Sequence, residues 1–297
     1  MVYKDEKTLI ITSISQHCEQ LFIEWLVSLR TLGNYHGKVM ALDYGMGNQV
    51  KMPAMKLGAK LYHCKKPSIE ENIVNYRFVD MLPIIKQQYQ QYKIAHFDTD
   101  IWFTGEISEL FNELDEVSGC LYAVECRTEL PNAGRGPQDS QTLERNVAKV
   151  DQVIRHWKGH VNGGFVAAQY QSFVDKLTTM QNAYANGWRI DCWGVDQYLI
   201  NVLFDLNRDR ANGNRWNCSI REVIKKEGEF YHIKNSDMLF QNGRWVLDKR
   251  KKIHVEKVVG LHLNIGTKQK ERFSKIHPGL FYHTISDIKK RQISIEA

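Results

Sequence analysis

The chain has 297 residues and a mass of 34.6 kDa, with 43% apolar, 25% charged and 11% aromatic residues. This composition excludes a collagen-like or low-complexity chain, and the length suffices to bury a substantial core. No stretch reaches the roughly 18 consecutive apolar residues of a membrane-crossing helix, and the polar opening Met1–Lys7 predicts no secretory leader.

The first half alternates short β-like runs with amphipathic helical patterns, which predicts an α/β fold with a mixed, mostly parallel central sheet flanked by helices. Thr8 to Thr12 reads as a buried first strand, and Leu21, Phe22, Trp25, Leu26 and Leu29 recur at helical spacing until Gly33. Strands are expected at Lys38–Asp43 and Leu61–Cys64. A long helix is expected over Asn72–Tyr92, bent or split at Pro83. A fourth strand, Ile94 to Phe97, runs straight into Asp98-Thr99-Asp100. Further on come a strand at Cys120–Glu125, a polar loop Pro131–Ser140, a helix over Gln141–Trp157 and a strand at Phe165–Gln169. Helical patterns cover Ser172–Asn186 and Val195–Phe204, before shorter β-like pieces at Phe230–Ile233, Arg244–Leu247 and Ile253–Val255. No internal repeat and no long linker divides the chain. One domain over 1–270, followed by a basic tail over 271–297, is the organisation expected.

The net charge of +6 is not evenly spread. Trp245–Ala297 holds 12 Lys and Arg against 5 Asp and Glu. That surplus points to an anionic partner for the tail (a diphosphate, a membrane surface or nucleic acid) or to a solvated face. The six cysteines form no C-x-x-C pair, which predicts reduced, mostly buried thiols and a cytoplasmic location rather than a zinc site.

Asp98-Thr99-Asp100 is the one D-x-D of the chain. Ligands gather at the carboxyl ends of strands in open α/β sheets, and two carboxylates at this spacing reach one hard divalent cation. The alternative is a turn capped by aspartates. In His160-Val161-Asn162-Gly163-Gly164-Phe165 the glycine pair marks a close backbone approach, to a ligand or to another element. Asp196 and Gln197 open an apolar helix, where an acid is either functional or a partner of the helix dipole. His262 follows a hydrophobic run, with Lys268 just beyond Gly266.

These pieces, in this order, resemble the GT-A glycosyltransferases, closest to family 8, which includes the bacterial lipooligosaccharide galactosyltransferases and glycogenin. Ser28-Leu29-Arg30 looks like that family's opening helix, and Asn75-Tyr76-Arg77-Phe78 like the segment whose basic residue contacts donor phosphate or sugar. Phe97-Asp98-Thr99-Asp100 matches its metal-binding motif. Asn162-Gly163-Gly164-Phe165 is similar to N-[AS]-G-[VF], and Asp196-Gln197 with Asn201 and Phe204 to D-Q-x-x-x-N-x-x-F. The family's H-x-x-G-x-x-K-P-W departs here: the glycine falls one place later and Gln269-Lys270 replaces Pro-Trp.

The resemblance implies a metal-dependent hexosyltransferase using a nucleotide-diphosphate sugar, with a UDP-sugar favoured and anomeric configuration retained. Asp98, Asp100 and His262 would hold Mn²⁺ or Mg²⁺, and Lys268 and Arg77 would face the diphosphate. Thr12, Ser13, Thr99, Asn162, Gly163 and Gly164 would line the donor, and Asp196 would bind a donor sugar hydroxyl. Gln197 would face the anomeric carbon; as an amide it is no strong nucleophile, which favours a front-face route. Trp102, Trp188 and Trp193 are candidates to stack on sugars. The expected acceptor is a glycan or lipid-linked glycan, with peripheral membrane contact through the tail and no nucleic acid. Two rival functions are a sugar nucleotidyltransferase, which would want a Gly-rich basic loop after the first strand, and a non-enzymatic anion binder.

Overall fold

The computed structural model of the protein describes residues 7–103, 105–125, 137, 139–219, 224–227, 230–233, 238–241, 244–247 and 259–262. The first half runs β1 (Thr8–Ile14), α1 (Glu19–Thr31), β2 (Lys38–Asp43), α2 (Asn48–Lys56), β3 (Ala59–His63), α3 (Ile73–Gln88) and β4 (Lys93–Phe97). There follow β5 (Ile101–Phe103), α4 (Ser108–Glu113), β6 (Cys120–Glu125), α5 (Ser140–Trp157), β7 (His160–Gln169), α6 (Tyr170–Ala185) and α7 (Val195–Val202). The last third contributes β8 (Cys218–Ser219), β9 (Ile224–Glu227), β10 (Phe230–Ile233), β11 (Met238–Gln241), β12 (Arg244–Leu247) and β13 (Gly260–His262).

The central sheet has the order β3-β2-β1-β4-β7-β6. The β3-β2-β1-β4 half is parallel, and β7 runs antiparallel to both neighbours. β1 is buried on both faces, so its side chains feed two cores. Leu9 and Ile11 pack with Phe78, Met81 and Ile85 of α3 and Phe173 and Leu177 of α6. Ile10 and Ile14 pack with Phe22, Trp25 and Leu29 of α1 and Phe111 of α4. The chain moves outward from β1 to β3 and then returns to β4. The strand order therefore switches between β1 and β4, and their carboxyl ends open the crevice where such sheets bind ligands.

Side chains lock the flanks. Ser28 donates to Trp25 O at 2.9 Å and accepts from Phe103 N at 3.2 Å, tying α1 to β5. The Arg30 guanidinium donates to the carbonyls of Leu57, Tyr35, Gly37 and Gly58, stapling the end of α1 to two loops.

Two expectations need correction, and one helix went unread. α3 is one helix through Pro83, because its buried face from Ile73 to Ile85 is held against the sheet on both sides of the proline. β7 begins at His160, so the Asn-Gly-Gly segment lies inside a strand rather than before it. α2 carries so few buried residues, Ala54 alone, that it leaves no apolar period to read. Small strands add a four-stranded antiparallel sheet, β12-β11-β10-β9, and a three-stranded one, β5-β13-β8. The Ile253–Val255 strand, most of the Pro131–Ser140 loop, Lys268 and the tail over 271–297 lie outside the described residues. Cys18, Cys64, Cys120 and Cys192 are free thiols. Among the described residues no helix is long and apolar enough to cross a membrane.

Candidate metal and donor site

β4 ends directly before Asp98-Thr99-Asp100, and β5 starts at Ile101. β13 pairs antiparallel with β5, placing His262 opposite Ile101. This approach requires glycine at 260, where a Cβ would lie 1.7 Å from the Trp216 carbonyl oxygen. His262 Nε2 thereby comes within 3.1 Å of Asp100 Oδ1. One ligand atom from each of Asp98, Asp100 and His262 lies within 4.8 Å of the others. Two carboxylate oxygens and one imidazole nitrogen form a donor set that suits a divalent cation. Burial alone would lower the His262 pKa, but the charge and hydrogen bond of Asp100, then Asp98 and Glu125, lift it to about 9. A cation bound by these three groups would take the place of the His262 proton.

Arg77 of α3 sits beneath this cluster, buried. Its guanidinium pairs with Asp98, reaches Asp196 Oδ2 at 3.2 Å and donates to Gly163 O at 3.1 Å. In this arrangement Arg77 braces two site carboxylates from below, with both Nη atoms engaged. Burial pushes the Asp196 pKa up and the Arg77 charge opposes it, leaving it at about 6.

The glycine pair belongs to a bulge. Tyr122 opposes Val166 and Val124 opposes Val161, so residues 162–165 of β7 face Ala123 alone on β6. The excess backbone swings toward the site. Gly164 O accepts from Asp98 N at 2.8 Å, and Gly164 N donates to Asn162 Oδ1 at 2.6 Å. A Cβ on Gly164 would lie 2.6 Å from Asp98 Oδ2, and one on Gly163 would lie 3.1 Å from Asp196 Oδ2. The close approach expected of the glycine pair is thus to the site's own carboxylates.

Amide side chains fix α7. Asn201 Oδ1 accepts from Val161 N at 2.8 Å and its Nδ2 donates to Val161 O at 2.9 Å, so the side chain pairs with β7 as a strand would. Phe204 is buried against Tyr122 and Trp157. Asn75 of α3 donates to Ile190 O and Cys192 O and accepts from Asp196 N at 2.8 Å. Asp196 is consequently held from two sides, while Gln197 beside it is half-buried.

Residues missed by sequence reasoning complete the rim. Glu125, opposite His160 across the β6–β7 pair, lies 3.3 Å from His160 Nε2 and accepts from Asn162 Nδ2. Burial would raise its pKa, but His160 first, then His262 and Asn162, bring it below the usual carboxylate value. Only an acid closing an apolar strand signalled it. Asn75 was noted merely as a neighbour of Arg77.

Thr12 is fully buried on the α1 face of β1, whereas Ser13 points to the other face and is half-buried. Thr99 is buried and lies beside Cys18. Trp102 and Trp188 are core residues, while Trp193 is 56% exposed.

No family model matches the chain, and no curated protein matches it by sequence. In structure it is similar to the galactosyltransferase LgtC, solved with donor and acceptor sugar analogues. That match has a TM-score of 0.50 at 10% identity and covers 92% of this chain and 96% of LgtC. It is also similar to WbbM, a bifunctional glycosyltransferase, at a TM-score of 0.50 and 10% identity, covering 74% of this chain but 40% of WbbM. This chain therefore spans less than half of WbbM and nearly the whole of LgtC. The sheet order, its switch point and these neighbours assign the chain the GT-A glycosyltransferase fold.

Proposed function

We propose that this protein is a metal-dependent hexosyltransferase that moves a sugar from a nucleotide diphosphate, UDP favoured, to a glycan or lipid-linked glycan hydroxyl with retention. The observation that carries this reading is the convergence of Asp98, Asp100 and His262 at the switch point of a GT-A sheet. A Mn²⁺ or Mg²⁺ ion held by these three would supply Lewis-acid stabilisation of the departing diphosphate. Ser13, Thr99 and the Asn162-Gly163-Gly164 bulge would line the donor, with Lys268 adding positive charge at the diphosphate. Asp196, braced by Arg77, would accept a hydrogen bond from a donor sugar hydroxyl. Gln197 would face the anomeric carbon as a neutral amide, which suits a front-face transfer better than a covalent intermediate. The transferase domain would span 1–270, and the basic tail over 271–297 would dock a cytoplasmic protein on an anionic membrane carrying the acceptor. Against a nucleotidyltransferase stands the segment after β1, Gln16–Cys18, a short 3-10 turn without glycine.

Titration calorimetry with UDP, GDP and CDP, in Mn²⁺ and then in EDTA, tests the proposal. One nucleotide should bind in a manganese-dependent manner and lose at least tenfold in affinity in Asp100→Ala. A folded protein that binds none of the three would overturn it.

A further inference from the structure

The outer edge of the central sheet carries a charge surplus that the metal and donor site does not use. From Lys38 to Ile69, through β2, α2, β3 and the loop after it, there are six lysines, one acid and no arginine. That acid, Asp43, is buried and already paired with Lys51 Nζ at 2.9 Å. With Trp245–Ala297 also set aside, the other 212 residues hold 22 Lys and Arg against 28 Asp and Glu. The edge is a cationic strip on an acidic body, separate in sequence from the basic tail.

On this strip α2 turns apolar side chains outward. Its inner side is Val50, Ala54 and Leu57, which belong to the core shared with α1. The opposite side, at the same helical spacing, is Met52, Met55 and Lys56, with Met52 60% and Met55 55% exposed. Lys66 flanks the turn into α2, its Cδ 3.8 Å from where a Gly45 Cβ would stand, and Lys65 beside it is exposed. Lys60 on the edge strand β3 donates to the neutral amide of Gln88 at 2.8 Å, so its charge is uncompensated there.

The chemistry of the strip selects its partner. Nucleic-acid recognition draws on arginine forks and stacking aromatic rings, and the strip has no arginine, a buried Tyr44 and a half-buried Tyr62. Lysines act as point charges toward an anionic surface, each adding about fivefold to partitioning. Flexible, unbranched methionines between them suit the irregular boundary between headgroups and acyl chains. β3 lies three strand spacings from β4, about 14 Å from the strand that delivers Asp98, so the strip sits beside the crevice.

We infer that α2 and the lysines flanking it form a docking surface for an anionic lipid bilayer. Met52 and Met55 enter between the headgroups, while Lys56, Lys60 and Lys65 meet lipid phosphates and carboxylates. This surface is distinct from any contact made by the tail, and it stands whether or not the chain is a transferase.

The test uses the full chain. Co-sedimentation with vesicles of phosphatidylcholine, alone or mixed with phosphatidylserine, is measured for the wild type and three double variants. Two alter the edge, Met52→Ser with Met55→Ser and Lys56→Glu with Lys65→Glu; the third, Lys289→Glu with Lys290→Glu, alters the tail. Contact is read by NMR on ¹³C-methyl methionine in nanodiscs of the mixed lipids carrying a spin-labelled acyl chain, the two methyls being assigned by their absence in the serine variant. Expected are binding to the mixed vesicles alone, at least tenfold weaker in both edge variants, and paramagnetic broadening of the Met52 and Met55 methyls beyond that of the buried Met40 and Met81. That broadening should persist in bound tail variant. Vesicle binding that both edge variants retain overturns the surface, and its loss in the tail variant then assigns the membrane contact to the tail. Bound protein whose Met52 and Met55 methyls stay sharp overturns it too. So does a wild type that ignores the mixed vesicles, including one that instead retains duplex DNA or RNA through the edge lysines.

Discussion

Adding one methyl group at Gly164 tests whether the β7 bulge sets the position of Asp98. A Cβ there would stand 2.6 Å from Asp98 Oδ2 and 2.8 Å from Asn162 Oδ1, whereas ordinary contact begins at 3.4 Å. The Asp98 oxygen must therefore retreat by about 0.8 Å, a distance at which misplaced site groups lose on the order of 10²-fold in function. Retreat is opposed from two sides, because Arg77 pairs with the carboxylate and Asp98 N is bonded to Gly164 O at 2.8 Å. Overpacking of this kind costs about 1–3 kcal/mol, or roughly 2–5 °C in Tm for a domain of this size. Gly163→Ala is the control. Its Cβ would meet Asp196 Oδ2 at 3.1 Å and Gln197 at 3.7 Å, so the neighbour gives by a few tenths of an ångström. Mn²⁺ titration calorimetry and differential scanning calorimetry should show at least tenfold weaker metal binding and a lowered Tm for Gly164→Ala, with Gly163→Ala within threefold of wild type. Equal metal affinity and equal Tm for the two variants would refute the reasoning.

Two further perturbations address the buried charges. Arg77→Met removes the cation shared by Asp98 and Asp196 and leaves Asp196 buried without it, at an expected cost of about 3–5 kcal/mol in urea unfolding. Arg77→Lys should restore less than half of that, since a single ammonium cannot reproduce the guanidinium fork, and full rescue by lysine would count against the bracing role. His96 is fully buried with both ring nitrogens unpartnered, and burial, aided by the Arg77 charge, drives its pKa down to about 3. Between that value and the ordinary 6.5 the unfolded chain binds the proton more readily, so stability is intact above about pH 6.5 and falls as pH drops. By pH 5 the loss is about 2 kcal/mol. Unfolding at pH 7.5 and pH 5 should show that much less acid sensitivity in His96→Leu, and identical sensitivity in both proteins would rule the histidine out as its source.

The fold class and the ingredients of the site were legible in the sequence because both rest on local pattern. Apolar, mostly β-branched runs such as Thr8 to Thr12 make strands wherever they are buried, and a D-x-D that follows such a run inherits its place at the carboxyl end of the sheet. The helix over α1 and the apolar stripe of α7 were likewise readable from period alone. What needed tertiary structure was every relation between residues far apart in the chain. His262 reaches Asp100 only because Gly260 lets β13 lie against Trp216. The glycine pair reads as a close backbone approach, and only the pairing with β6 makes it a bulge whose neighbours are Asp98 and Asp196. Arg77 reads as a contact for donor phosphate or sugar, and only the fold shows that its guanidinium also pairs with Asp98 and Asp196. Glu125 carries no motif, and it joins the site through its cross-strand partner His160. The three tryptophans are equivalent as letters, and packing alone puts Trp102 and Trp188 in the core and leaves Trp193 at the surface. Sequence period fixes which face of an element is apolar, while long-range closure selects which polar groups meet.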